Sequence, residues 1–130
     1  MEVTFWGTRG SIPVSGPRYV EFGGNTPCLQ VSLESTTDTV IFDSGSGVRE
    51  LGVRLIQTKA MHSRIVHLFL THAHWDHIQG FPFFAPAFLP DFRLNIRCTK
   101  DAKSILERQM ATPFFPVSLE MMAAVRTFQQ

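Results

Sequence analysis

Ile65-Val66-His67-Leu68-Phe69-Leu70-Thr71-His72-Ala73-His74-Trp75-Asp76-His77 is the stretch that organises the chain. Its opening hexapeptide is almost continuously apolar, which predicts a short strand buried on both faces of a sheet. Its closing residues place three imidazoles and one carboxylate directly past that strand, in the order H-x-H-x-D-H. While the backbone is extended, side chains repeat every second residue, so His72 and His74 face the same way. Asp76 and His77 follow where the chain turns, and approach from another direction. Neutral imidazole and carboxylate suit Zn²⁺, Mn²⁺ or iron better than Ca²⁺ or Mg²⁺. Sites in helix-flanked sheets collect in the loops past strand ends. His72, His74, Asp76 and His77 are therefore the expected metal ligands. His62 and His67 stand alone and are read as structural.

Moving outward, the sequence alternates strand and helix signals. Val3 to Trp6 predicts a strand, stopped by Gly7 and a Gly/Pro-punctuated loop through Gly24. Cys28 to Leu33 alternates with period two, and Val40 to Phe42 is a second β-type run; a turn over Thr36 to Asp38 makes the two a hairpin. Gly45-Ser46-Gly47 opens a helix whose face carries Val48, Leu51, Leu55 and Ile56. Phe92 to Cys98 alternates again. Asp101 to Met110 reads as a helix with its acid at the positive end of the dipole, and Val125 to Phe128 begins a further strand. Phe81 to Pro90, interrupted by Pro82, Pro86 and Pro90, is expected in the core or at an interface. Trp75 is expected to pack against the fold.

The 130 residues suit one domain, and 44% hydrophobic content excludes wholesale disorder. A net charge of +1, from 12 basic and 11 acidic residues, argues against binding nucleic acid mainly through bulk electrostatics. Two cysteines without a CxxC exclude a disulfide-dense scaffold and a cysteine zinc ribbon, and read as buried thiols in a reducing compartment. No signal peptide or bilayer-length apolar run is visible, so the expectation is a soluble, cytoplasmic protein without membrane partners.

With these residues assembled, the chain resembles the metallo-β-lactamase-fold hydrolases. Thr71 to His77 looks like the signature metal motif of that family. Val40-Ile41-Phe42-Asp43-Ser44-Gly45-Ser46-Gly47 resembles the strand–Asp–Gly segment that precedes it. Phe5-Trp6-Gly7-Thr8-Arg9-Gly10-Ser11-Ile12-Pro13 and Gly23 to Cys28 are similar to the opening of the branch holding tRNase Z and the PhnP-type phosphodiesterases. Residues 74–84 and Phe114 to Val117 point toward the PhnP-like members. The resemblance implies an α/β (α+β) protein, an αββα sandwich with a mixed sheet and flanking helices. It implies a centre of one or two metals, Zn²⁺ first and Mn²⁺ or iron as alternatives, with His72 and His74 on one ion and Asp76 and His77 on the other. Asp43 matches an acidic position that braces the metal loop rather than ligating. The family's remaining ligands have no counterpart here: no histidine follows His77, and the later aspartates are Asp91 and Asp101. Residues 1–130 are accordingly expected to be the N-terminal half of a single domain, prone to association as a homo-oligomer because a divided core exposes apolar surface.

The implied activity is metal-dependent hydrolysis of phosphodiester bonds by a water that the cation ionises, with Asp76 as both ligand and orienting catalytic group. The expected partner is a small-molecule or nucleotide-type phosphodiester, with nucleic acid not supported by net charge. Arg9, in a Gly-rich loop, is a candidate contact for substrate anions. Two alternatives stand beside this reading: a thioester or lactone hydrolase on the same fold, and a non-catalytic metal-binding or interaction module.

Overall fold

The structure is a computed structural model that describes residues 1–58 and 63–130. His62 lies outside the described residues. In chain order the elements are β1 (Glu2–Gly7), β2 (Cys28–Ser32), β3 (Thr39–Phe42), α1 (Val48–Gln57), β4 (Ile65–Leu70), α2 (Trp75–Ile78), β5 (Arg93–Cys98), α3 (Ala102–Gln109) and β6 (Val125–Gln129). Short 3₁₀ turns lie at Pro17–Tyr19, Phe81–Phe83, Ala85–Phe88 and Leu119–Met121.

The strands form one six-stranded sheet whose spatial order repeats the sequence order, β1 to β6. β2 and β3 are the expected antiparallel hairpin, with Leu29 opposite Phe42 and Val31 opposite Val40. α1 then returns the chain so that β4 lies parallel to β3, and β5 and β6 continue in parallel. The result is the mixed α+β sheet with flanking helices that the sequence implies. At α3 the side chain of Asp101 accepts the Ser104 N–H at 3.1 Å, capping one of the donors that a helix start leaves unpaired.

One face of the sheet carries the core. Period-two alternation aligns Thr39, Val66 and Leu94 in one cross-strand row and Ile41, Leu68 and Ile96 in the next. All six are buried. Val48, Leu51 and Leu55 of α1, Leu106 of α3 and the rings of Phe81, Phe84 and Phe92 complete the same cluster. Each fully buried side chain of this size contributes about 1.5–3 kcal/mol before conformational entropy is set against it. Within the Phe81–Pro90 segment, Phe81, Phe84 and Ala87 enter the core, while Phe83 turns outward.

The opposite face differs from the expectation for β4. Val66, Leu68 and Leu70 are buried, but Ile65, His67 and Phe69 are only half-buried, so this strand is covered on one side. The reason is architectural: the core cluster gathers the helical elements on a single face. On the other face Leu29, Phe42, Phe69 and Arg97 align in register. The Phe42 and Phe69 rings stack at 5.2 Å, and the Arg97 guanidinium lies 5.4 Å from the Phe69 ring centre. Cys28 and Cys98 are buried and unbridged. Burial, reinforced by the charge of Asp43, pushes the Cys28 thiol up to about 12, which keeps it protonated and inert. Among the described residues no helix is long and apolar enough to cross a membrane.

Candidate metal centre

The motif is positioned by two backbone turns that dock on one another. β3 ends at Phe42, and Asp43 adopts a left-handed conformation with φ 61°, which aspartate tolerates better than most residues. The chain then runs through Ser44 and Gly45 beneath α2. The Ser44 N–H donates to the His77 carbonyl and the Gly80 N–H to the Ser44 carbonyl, both at 2.8 Å. This approach leaves no room for side chains. A Cβ on Gly80 would lie 2.0 Å from the Gly45 oxygen, and one on Gly45 would lie 2.4 Å from the Asp76 oxygen. The glycines thus fix where the motif stands.

His72, His74 and His77 are brought together as the spacing predicts. The His72 ring centre lies 4.4 Å from that of His74, edge-on, and 4.0 Å from that of His77. Asp76 Oδ2 lies 3.6 Å from His77 Nε2, beyond hydrogen-bond reach. Asp76 Oδ2 also accepts the backbone N–H of Ser11 at 2.9 Å, from a loop sixty-five positions earlier in the chain. That N–H is the largest cause that lowers the Asp76 pKa below the ordinary carboxylate value, and it keeps the carboxylate ionised.

Asp43 organises the corner from below. Its buried carboxylate accepts the Thr71 backbone N–H at 2.8 Å, the Thr71 hydroxyl at 2.9 Å and His77 Nδ1 at 2.8 Å. A carboxylate only accepts, so His77 carries its proton on Nδ1 and keeps the Nε2 lone pair free. Thr71 extends the same control to His72. Its one hydroxyl hydrogen goes to Asp43, so its oxygen can only accept from His72 Nδ1, 3.0 Å away. The His72 proton is thereby placed on Nδ1 as well, and its Nε2 is free.

Among the described residues no group of three or more His, Cys, Asp or Glu side chains is arranged so that it could hold a metal ion as it stands. The donor chemistry nevertheless fits a Zn²⁺-like ion: two imidazoles with Nδ1 secured and Nε2 free, a third imidazole beside that of His72, and an ionised carboxylate. His72, His74, Asp76 and His77 are the residues that would hold it, with Asp43 bracing His77 directly and His72 through Thr71. Arg9 is the expected contact for substrate anions and not a ligand. Its Nε donates to the Ile12 carbonyl at 2.9 Å, and its guanidinium lies 5.2 Å from the Tyr19 ring centre, in a separate cleft that Arg18 shares. The Gly-rich loop reaches the motif through the Ser11 amide. A backbone donor leaves no trace in residue type, so sequence reading could not single it out. Trp75 also departs from expectation: it is 60% exposed, because α2 is only four residues long and turns this side chain away from the core.

Comparison with known proteins places this geometry in a family. The model of the metallo-beta-lactamase superfamily matches residues 23–90, which contain the hairpin, α1, β4 and the whole motif. The chain belongs to the metallo-beta-lactamase superfamily. Among curated proteins it is 31% identical over 83 residues to ribonuclease Z of Staphylococcus aureus strain JH9, a match covering 63% of this chain and 24% of that protein. Ribonuclease Z of Staphylococcus carnosus is 30% identical over the same 83-residue length, with the same coverage. The chain therefore spans about a quarter of the length of the curated relatives it matches. No solved structure matches it significantly.

Proposed function

We propose that this chain supplies the metal-binding corner of a metal-dependent hydrolase that cleaves phosphodiester bonds, with RNA as the substrate class. The observation that carries the reading is the Asp43–Thr71 network, which secures Nδ1 of both His72 and His77 and leaves two Nε2 lone pairs beside an ionised Asp76. A structural histidine pair has no need of this arrangement. A divalent ion bound here supplies an acidified water and positive charge for the phosphoryl oxygens. The protein's own part is to hold that geometry. Asp43 keeps the imidazole protons off the ligating nitrogens, and Ser11 keeps Asp76 charged and aimed. Asp76 is then available both to bind and to accept a hydrogen bond from the attacking water. The name of the relatives supports nucleic acid over the small-molecule diester favoured by net charge alone. Cytoplasmic location goes with that substrate.

The test is Zn²⁺ titration by calorimetry, followed by turnover of bis(p-nitrophenyl) phosphate and of an RNA oligonucleotide. We expect saturable Zn²⁺ binding that His74→Ala weakens by about 100-fold, and diester turnover that depends on the metal. Binding that His74→Ala leaves unchanged, or turnover of lactones alone, overturns the reading.

A further inference from the structure

Beside the motif, on the outward side of α2, lies a cleft of ≈ 520 Å³. Its walls are mainly aromatic, with Trp75, Phe83, Phe114 and Phe115 joined in the lining by Arg108 and Gln109 among others. Three of these rings are unusually open to solvent for their size, Trp75 at 60%, Phe83 at 56% and Phe114 at 85% exposure. Phe83 and Phe115 meet edge to face at 5.7 Å, which stiffens one wall. Gln109 is 8% exposed, and its Nε2 donates to the Ile78 carbonyl at 2.8 Å. Its Oε1 is shielded from solvent, with no hydrogen-bond partner among the described residues. Arg108 is exposed and has no ion-pair partner among the described residues.

From this lining we infer that the cleft binds a nucleobase of the substrate. Flat aromatic walls offer stacking to any base, because every base has a π-face. Arg108 supplies the one cation in the lining, suited to the phosphate attached to that base. Trp75 lies between His74 and Asp76 in the chain, so the stacking wall is one residue from two proposed ligands, and neighbouring Cα atoms are ~3.8 Å apart. A base held against Trp75 therefore brings its own phosphate toward the motif. The inference rests on the phosphodiester reading and deepens it, by assigning the part of the substrate that does not react.

The experiment uses the full chain carrying Trp6→Phe, which leaves Trp75 as the sole tryptophan reporter. It is titrated in the presence of a chelator with adenosine 5′-monophosphate and, separately, with ribose 5-phosphate, which keeps the phosphate and lacks the base. Adenosine 5′-monophosphate should quench Trp75 saturably and ribose 5-phosphate should not. Phe114→Ala, at an exposed position, should weaken the nucleotide on the order of tenfold with no shift in the urea midpoint. Equal responses to both ligands, no response to either, or an unchanged affinity in Phe114→Ala overturns the inference. Hydrolysis of bis(p-nitrophenyl) phosphate, which has no nucleobase, is scored separately. Absent turnover with base discrimination intact fails the hydrolase reading alone, and turnover without discrimination fails the cleft alone.

Discussion

β3 is flanked by two aspartates, and each holds a histidine. Asp38 precedes the strand and lies 3.2 Å from His67 Nε2, whereas Asp43 follows it and lies 2.8 Å from His77 Nδ1. The chemistry of the two pairs is alike, but their surroundings are not. At the Asp38 end both imidazole nitrogens face protein groups, Asp38 on one side and Asn95 at 3.4 Å on the other. Ser63 takes the second carboxylate oxygen at 2.5 Å. Nothing is left over, and the pair closes a strand end. At the Asp43 end one nitrogen of His77 is held and the other is free, with the His72 imidazole and the Asp76 carboxylate beside the ring. A histidine becomes a candidate ligand by having one nitrogen secured and one spare, and proximity to an acid does not by itself confer that.

The sharpest way to break this contrast is to remove each acid. Asp43→Ala should cost roughly 3 kcal/mol, because it strands the Thr71 amide, the Thr71 hydroxyl and His77 Nδ1 in a buried site. Asp38→Ala, whose pair is partly exposed, should cost about 1 kcal/mol or less. Urea midpoints of the two variants measure the difference, and equal losses would remove the distinction between the ends. Removing each histidine separates the ends by function. Zn²⁺ affinity should fall about 100-fold in His77→Ala and stay at the wild-type value in His67→Ala, by calorimetry. The relay to His72 is tested at Thr71. Thr71→Val should weaken Zn²⁺ by roughly tenfold, and Thr71→Ser, which keeps the hydroxyl, should restore most of it.

The smallest effect is in acid. Ser63 first, and His67 after it, hold the Asp38 carboxyl below its ordinary value in the folded state. The stability this contributes is fully present above the unfolded value, about pH 4, and is lost as pH falls through the lower folded value. Asp38→Asn should therefore flatten the pH dependence of the urea midpoint below about pH 4 while leaving its shape at neutral pH unchanged.

Much of this was legible in residue types and spacing. The hairpin, α1, β5, α3 and β6 follow from period-two and helical patterns that packing did not override. The convergence of His72, His74 and His77 follows from a strand end with alternating side chains. The one-sided burial of β4 was not legible, because a run such as Ile65 to Leu70 reads the same whether one face or both are covered. The Ser11 amide on Asp76 and the orphaned oxygen of Gln109 were hidden for another reason. Both depend on segments far apart in the chain, and neither a backbone N–H nor a single glutamine has a sequence signature. Trp75 departs from its expected packing because aromatic residues are more often buried than displayed, and here a single helical turn leaves it exposed.

The sheet's order in space repeats its order along the chain. Each new strand can therefore dock on an edge that already exists, with no earlier strand waiting for a later one to be inserted beside it. A nascent chain leaving the ribosome from its N-terminus could lay down this sheet from one side to the other as synthesis proceeds. The histidine motif would then be fastened to β3 before β5 and β6 are made.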